Sequence, residues 1–184
     1  MTDEQDHRMV WASQLADRVE KHLEGQYIYP HLYARLALLL QSEKLRFVQI
    51  AAEYTRRFAA SGDLHVWTER HLAVVRFDEV VCLAPGVQPS DFEDHEAARV
   101  SVQIVPRSAL AALELPSADA DGQVLNGGNE WSAGLRDNDW SWPRLAVLTL
   151  TYKGIDKPIL LPGKGDVAGF EALIPALLDD LAAR

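Results

Sequence analysis

Two N-terminal segments carry apolar residues at helical spacing. In residues 3–24 the apolar positions recur every three or four residues, and charged residues occupy the rest of the wheel; they are Ala12, Leu15, Ala16, Val19 and Leu23. Gly25 is a typical helix stop. A second helix is predicted over His31–Gln41, after Pro30, which a first helical turn tolerates. Its leucines at positions 32, 36, 39 and 40 form a broad apolar face, so this helix is predicted to be buried.

Residues 45–58 fit two patterns. Phe47, Ile50, Tyr54 and Phe58 recur at helical spacing, whereas Val48, Ile50, Ala52 and Tyr54 alternate with polar residues as in a strand. We predict a strand, because the sequence that follows is rich in β pattern and its first strand needs a partner.

Short alternating runs continue through the rest of the chain. The predicted strands are 63–67, 71–77 with a possible extension to Leu83, 100–105, 109–115, 145–152 and 158–161. Thr68-Glu69-Arg70 and Lys153-Gly154-Ile155-Asp156 are the predicted hairpin turns. A C-terminal helix follows, with a stripe of Phe170, Leu173, Ile174, Leu177 and Leu181. Pro175 lies inside this stripe and must kink the helix or mark its start.

The order of these elements predicts an α+β fold. No helical pattern separates the strands, so the sheet is predicted to be antiparallel. Seven short strands must hide their edges by closing into a barrel or sandwich, which the last helix could plug. We therefore expect an N-terminal helical segment, residues 1–43, and a β-barrel domain with its C-terminal helix, residues 44–184.

Two stretches resemble a known family. The run from Leu64 to Val75, with Thr68-Glu69-Arg70 at its turn, is similar to the strand–turn–strand segment of bacterial pleckstrin-homology-like and GRAM-like domains. The run from Ile104 to Leu115 resembles their next signature, in which a polar step leads into a strand. The segment Tyr27–Leu32 also resembles an uncharacterised actinobacterial family in which two tyrosines and a proline introduce a helix, here with Ile28 between the tyrosines.

This resemblance covers roughly residues 44–184 and implies both a fold and a function. The implied fold is a seven-stranded antiparallel split barrel capped by a C-terminal helix. The implied function is binding of a lipid, peptide or protein without catalysis. Phosphoinositide-binding members present a basic loop between their first strands. Here Arg70 follows Glu69 directly, and Asp63 lies nearby, which argues against a phosphoinositide pocket and favours a protein or peptide ligand.

The amino-acid composition argues against some classes of binding partner. Hydrophobic residues make up 48% and charged residues 24% of the 184 residues, as in globular proteins, and the formal charge is −9. An acidic chain is not expected to bind nucleic acid or anionic membranes. No apolar run approaches the roughly 20 residues of a transmembrane helix, and the acidic N-terminus has no signal-peptide pattern. We expect a cytoplasmic protein.

Two histidines support the main alternative, which is an enzymatic function. His65 and His71 flank the Thr68–Arg70 turn with Asp63 and Glu69 nearby, and two histidines with a carboxylate could hold a metal. The alternative function is thus a small metal-dependent hydrolase. We favour surface positions for these histidines, and therefore no enzyme, no metal and no cofactor. Cys82, the single cysteine, lies in an apolar run and is predicted to be a buried structural thiol.

Tryptophans mark the strongest candidate for ligand binding. Trp131, Trp140 and Trp142 cluster in the long polar insert from Ser117 to Trp142, and tryptophan is enriched at binding hot spots. They could instead fold back to cover the open side of the barrel. Segments 86–97 and 117–142 each carry a net charge of −4, so the acidity is concentrated beside these tryptophans. The predicted function is a binding or regulatory module for a protein or peptide, with a second copy of the chain as one possible partner.

Overall fold

The computed structural model of the chain describes residues 3–23, 27–28, 31–56, 59–83, 98–114, 148–161 and 167–183. Its helices are α1 (Asp3–Glu20), α2 (His31–Leu39) and α3 (Val167–Ala182). Its strands are β1 (Tyr27–Ile28), β2 (Leu45–Arg56), β3 (Ala59–Thr68), β4 (His71–Leu83), β5 (Arg99–Pro106), β6 (Leu110–Glu114), β7 (Leu148–Tyr152) and β8 (Ile159–Leu161). The predicted α+β class is confirmed, with helices before and after antiparallel strands. None of the helices in these ranges is long and apolar enough to cross a membrane.

The chain divides into two compact units, Met1–Pro106 and Arg107–Arg184. The first unit holds α1, α2 and β1–β5, and the second holds β6–β8 and α3. The predicted boundary between residues 43 and 44 stays a prediction.

The sheet of the first unit is an antiparallel meander. Strands β2, β3, β4 and β5 pair in chain order, and β1 pairs with the far end of β4 through Tyr27–Leu83 and Ile28–Cys82. The prediction of a strand in 45–58 is confirmed by β2. The β3–β4 pairing reaches Trp67–Leu72, and β3 ends at Thr68, so the connection is a tight turn of Glu69 and Arg70, one residue shorter than predicted.

The core of the first unit lies between the two helices and one face of this sheet. The helices contribute Trp11, Leu15, Val19, Tyr33, Leu36, Ala37 and Leu40, and the sheet contributes Val48, Ile50, Leu64, Val66, Ala73, Val75 and Phe77. Cys82 belongs to this core, as predicted, and burial raises the pKa of its thiol to about 11. The opposite face is apolar as well, since Phe47, Trp67, Leu72 and Val74 are buried. Such a sheet shows no simple alternation, which explains the ambiguity of segment 45–58.

A β-bulge interrupts the pairing of β3 and β4 next to Gly62. The pairing is irregular between Ala60 and Gly62, and Glu79 adopts a left-handed φ of 51° while its amide donates to Ser61 Oγ at 3.0 Å. A Cβ at position 62 would overlap the Ala51 carbonyl oxygen on β2. Glycine is therefore required here, because the strands approach more closely than a side chain permits.

The second unit is a three-stranded antiparallel sheet, in the order β6–β7–β8, together with α3. Arg107, in a 3₁₀ turn before β6, donates from Nε to Asp180 Oδ2 at 2.9 Å and from Nη2 to the Ala176 carbonyl at 3.0 Å. These bonds tie the start of β6 to α3. Phe170, Leu173 and Leu177 of the predicted stripe are buried, whereas Ile174 and Leu181 are only partly buried. Pro175 lies within the helix, so the idea that it marks the helix start is wrong.

Candidate functional site

Glu43 is the centre of a polar cluster at the β3–β4 turn. Its Oε2 accepts hydrogen bonds from Thr68 Oγ1 at 2.6 Å and from the Arg70 amide at 3.2 Å. Its Oε1 accepts from Arg70 Nε at 3.0 Å and lies 2.8 Å from His71 Nδ1. We call Glu43, Thr68, Arg70 and His71 the hairpin cluster. The Glu43 side chain is only 7% exposed, so the cluster is a largely buried charge with its donors in place.

The end of α2 places Glu43 in this position. The Ser42 amide donates to the Ala37 carbonyl at 3.0 Å and the Gln41 amide to the Leu38 carbonyl at 3.3 Å, as in a Schellman motif. Gln41 and Ser42 both adopt left-handed φ values, 50° and 52°, although neither is glycine. Trp11 Nε1 on α1 also donates to the Glu43 carbonyl at 2.6 Å. A left-handed φ is strained in residues other than glycine. The contacts that fix Glu43 against the hairpin keep Gln41 and Ser42 in this conformation.

The electrostatics show that this carboxylate is ionised and satisfied. Burial on its own would raise the pKa of Glu43, but hydrogen bonds from Thr68, His71 and the Arg70 amide, together with the charge of His71, outweigh burial and lower this pKa. A carboxylate bound to Nδ1 orients an imidazole in the manner of a general base. However, Thr68 is fully buried, so its hydroxyl, which donates to Glu43 and accepts from the His71 amide at 3.0 Å, is not accessible to a substrate. The cluster is best explained as a lock between α2 and the hairpin.

The register separates the two histidines considered as metal ligands. His65 pairs with Val74, on the face that carries Trp67 and Leu72. His71 follows the turn on the other face, where it meets Glu43. Among the described residues no group of three or more His, Cys, Asp or Glu side chains could hold a metal ion. The geometry thus gives no support to a shared metal site at His65 and His71.

His65 has an environment of its own. Its ring centroid lies 5.9 Å from that of Trp67, and no described group bonds its buried Nδ1. Burial lowers the pKa of His65 to about 4, with the charge of Arg76 acting in the same direction and that of Asp63 opposing it. His65 is therefore neutral at physiological pH.

An apolar cavity of about 560 Å³ opens between α1 and α2. We call it the helix-pair cavity; its lining includes Met9, Ala12 and Ala16 from α1 and Tyr33, Ala34 and Leu38 from α2, with Arg8 and Glu20 at its polar positions. Met9 is 61% and Leu38 is 54% exposed. The size falls within the range of ligand and side-chain binding sites, and apolar walls with a few polar groups are typical of them.

One residue that lines the helix-pair cavity, Tyr33, has a buried hydroxyl. The Tyr33 side chain is 98% buried, and its hydroxyl makes no hydrogen bond of standard geometry to a described group. Burial and the negative charge of Glu20 raise the pKa of Tyr33, against a weak hydrogen bond from the Ile28 backbone that lowers it. Burial and the neighbouring Asp17 also raise the pKa of Glu20. Because buried hydroxyls normally have a well-formed hydrogen bond, Tyr33 is a poorly satisfied group in the wall of the helix-pair cavity.

A second apolar cavity, of about 540 Å³, lies on the other side of α2. We call it the α2–β5 cavity; it is lined by Ile28, Leu32, Leu39, Val80, Val81, Ala98, Val100 and Val102, with His31 and Arg35 as its basic members. Leu39 is 52% and Val100 is 43% exposed. The walls are branched aliphatic side chains, and the ionisable residues in this lining are both of basic type.

The prediction that α2 is buried is therefore wrong for part of its surface. Leu32, Leu36 and Leu40 are buried, but Leu38 and Leu39 are more than half exposed and belong to different cavities. Sequence reasoning missed this surface. The signal was the adjacent pair Leu38-Leu39, because a helix that is apolar on all sides must find more than one partner surface.

The tryptophans proposed as ligand-binding residues, Trp131, Trp140 and Trp142, lie outside the described residues, as do the acidic segment 86–97 and the insert 117–142. Their role stays a prediction. No protein-family model, no curated protein and no solved structure matches the chain. The function must therefore be argued from the contacts described above.

Proposed function

We propose that this protein is a binding module that takes a protein or peptide segment on the first unit, built on a pleckstrin-homology-like scaffold. The scaffold proposal is supported by chain order: a four-stranded antiparallel meander, then a three-stranded one, then a C-terminal helix. No catalytic role is assigned to any residue. Trp131, Trp140 and Trp142 remain predicted contributors to ligand contact.

The α2–β5 cavity carries the proposal. An open, aliphatic groove beside half-exposed leucine and valine side chains is a surface that soluble proteins rarely leave uncovered without a function. Its basic residues, His31 and Arg35, favour an acidic ligand. An amphipathic helical peptide fits both features, because its apolar face would fill the groove while a carboxylate meets Arg35.

The proposal is tested by selecting a displayed random-peptide library against the purified chain. We expect enriched peptides with apolar residues at three- and four-residue spacing and at least one Asp or Glu. Leu39→Asp should weaken their binding by about tenfold or more, because it places a charge in the apolar wall. Arg35→Glu should weaken it by removing the complementary charge.

Leu178→Asp is the matched control, since Leu178 is a helical leucine of the second unit with 53% exposure. It should leave peptide binding unchanged. Failure to enrich any peptide, or peptides that bind the Leu39→Asp variant as well as the original chain, would overturn the proposal.

A further inference from the structure

One row of residues runs along α1 on the wall of the helix-pair cavity. Arg8, Ala12, Ala16 and Glu20 follow one another at four-residue spacing and all line this cavity. Residues at this spacing form a continuous ridge on a helix, and such ridges pack into the grooves of a neighbouring helix. We call this row the α1 ridge. It has a positive end, a small-residue middle and a negative end.

The α1 ridge is complementary to itself in the antiparallel direction. Its centre lies midway between Ala12 and Ala16, so a two-fold axis there exchanges Arg8 with Glu20. The two charged ends are about 18 Å apart along the helix. Alanine at the two central positions lets two helix backbones approach closely. A two-fold interface requires a surface that matches its own copy, and the α1 ridge meets that condition in charge and in side-chain size.

The rest of the helix-pair cavity offers contact surface to α1 of a second copy. Met9 and Leu38 flank the groove and are more than half exposed, so they have contact area to offer a second helix. Tyr33 contributes a buried side chain to the wall of this cavity. Ser13 and Gln5 add uncharged polar side chains to the lining.

We propose that a second copy of this chain docks here, with α1 of each copy lying antiparallel in the helix-pair cavity of the other and Arg8 of each pairing with Glu20 of its partner. This inference goes beyond the proposed function, because it concerns the opposite side of α2 from the peptide-binding surface. It assigns the helix-pair cavity to the dimer and leaves the α2–β5 cavity to the ligand.

Charge reversal tests the pairing. Light scattering coupled to gel filtration should show a dimer for the original chain. Arg8→Glu and Glu20→Arg should each raise the dimer dissociation constant by about 100-fold, since each replaces two attractive contacts with two repulsive ones. The double variant R8E/E20R should dimerise again, because both ends are exchanged. An equimolar mixture of the two single variants should form a heterodimer, which serves as a second measurement if the double variant folds poorly.

Arg18→Glu is the control, since Arg18 is an exposed arginine of α1 that does not line this cavity; it should leave the dimer intact. A monomeric original chain, single variants that still dimerise, or a mixture without heterodimer would overturn the inference. Peptide binding to the monomeric Arg8→Glu variant separates the two proposals. If the original chain is monomeric and peptides still bind at Leu39, the dimer fails and the binding function stands; if the dimer responds as expected and no peptide binds, the reverse holds.

Discussion

Glu43 and Tyr33 are both buried polar groups within the first unit, and they differ in how well their hydrogen-bonding capacity is met. Five donor atoms of described residues surround the Glu43 carboxylate within 3.2 Å, whereas the Tyr33 hydroxyl has no hydrogen bond of standard geometry to a described group. A satisfied buried group stabilises the fold, and a poorly satisfied one costs free energy. The contrast supports a structural role for the hairpin cluster, although that cluster looks more like an active site.

The largest expected effect is the loss of the lock. Glu43→Ala should lower the free energy of unfolding by about 3 kcal/mol, because it removes a largely buried charge and leaves the donors of Thr68, Arg70 and His71 without their acceptor. The measurement is urea unfolding, read as a change in midpoint at constant slope.

Glu69→Gln provides the matched control. Glu69 pairs with Arg46 at 2.7 Å at the same end of the sheet, but both side chains are about half exposed, so the change should cost less than about 1 kcal/mol. If both variants lowered the free energy of unfolding equally, the burial of Glu43 and its full set of hydrogen-bond donors would not account for its role.

His65 should make the unfolding free energy sensitive to acid. Its pKa is about 4 in the folded chain and 6.5 in the unfolded one. Between these two pH values His65 is protonated in the unfolded state and neutral in the folded state, so acid favours unfolding. The contribution of His65 to stability is complete above pH 6.5 and declines as pH falls towards 4, by about 2 kcal/mol at pH 5. Glu43, whose pKa is lowered, acts in a different window: its stabilisation is present above pH 4.5 and declines below it.

Unfolding free energies of the original chain and of His65→Gln across pH 4–7 check this expectation. His65→Gln should flatten the profile between pH 6.5 and 4.5. His7→Gln, at an exposed position of α1, should leave the profile as steep as before. A profile that stays steep in His65→Gln would show that another group is responsible.

Periodicity predicted the elements well and the sites poorly, for a physical reason. The strand in 45–58, the Thr68–Arg70 turn and the last helix all follow from local pattern, and β2, β4 and α3 bear this out. The separation of His65 from His71 was not predicted: a three-residue turn at Thr68–Arg70 would put them on one face, whereas the observed two-residue turn puts them on opposite faces. Glu43 gave no local signal, since its importance comes from a hairpin 25 or more residues away. The two cavities likewise arise from the packing of α2 between neighbours that no local pattern specifies.

The smallest expected effect is that of a substitution at Tyr33, and it tests the comparison of Glu43 with Tyr33 most directly. Tyr33→Phe removes a buried hydroxyl without a hydrogen bond of standard geometry to a described group, so the free energy of unfolding should stay within about 0.5 kcal/mol of the original or rise slightly. Tyr54→Phe is the matched change, because the Tyr54 hydroxyl donates to the Leu23 carbonyl at 2.9 Å and its loss should cost about 0.5–1 kcal/mol. Urea unfolding of both variants decides the matter. If Tyr33→Phe proved the more costly of the two, its hydroxyl would have a strong partner within the fold, and the contrast between Glu43 and Tyr33 would fail.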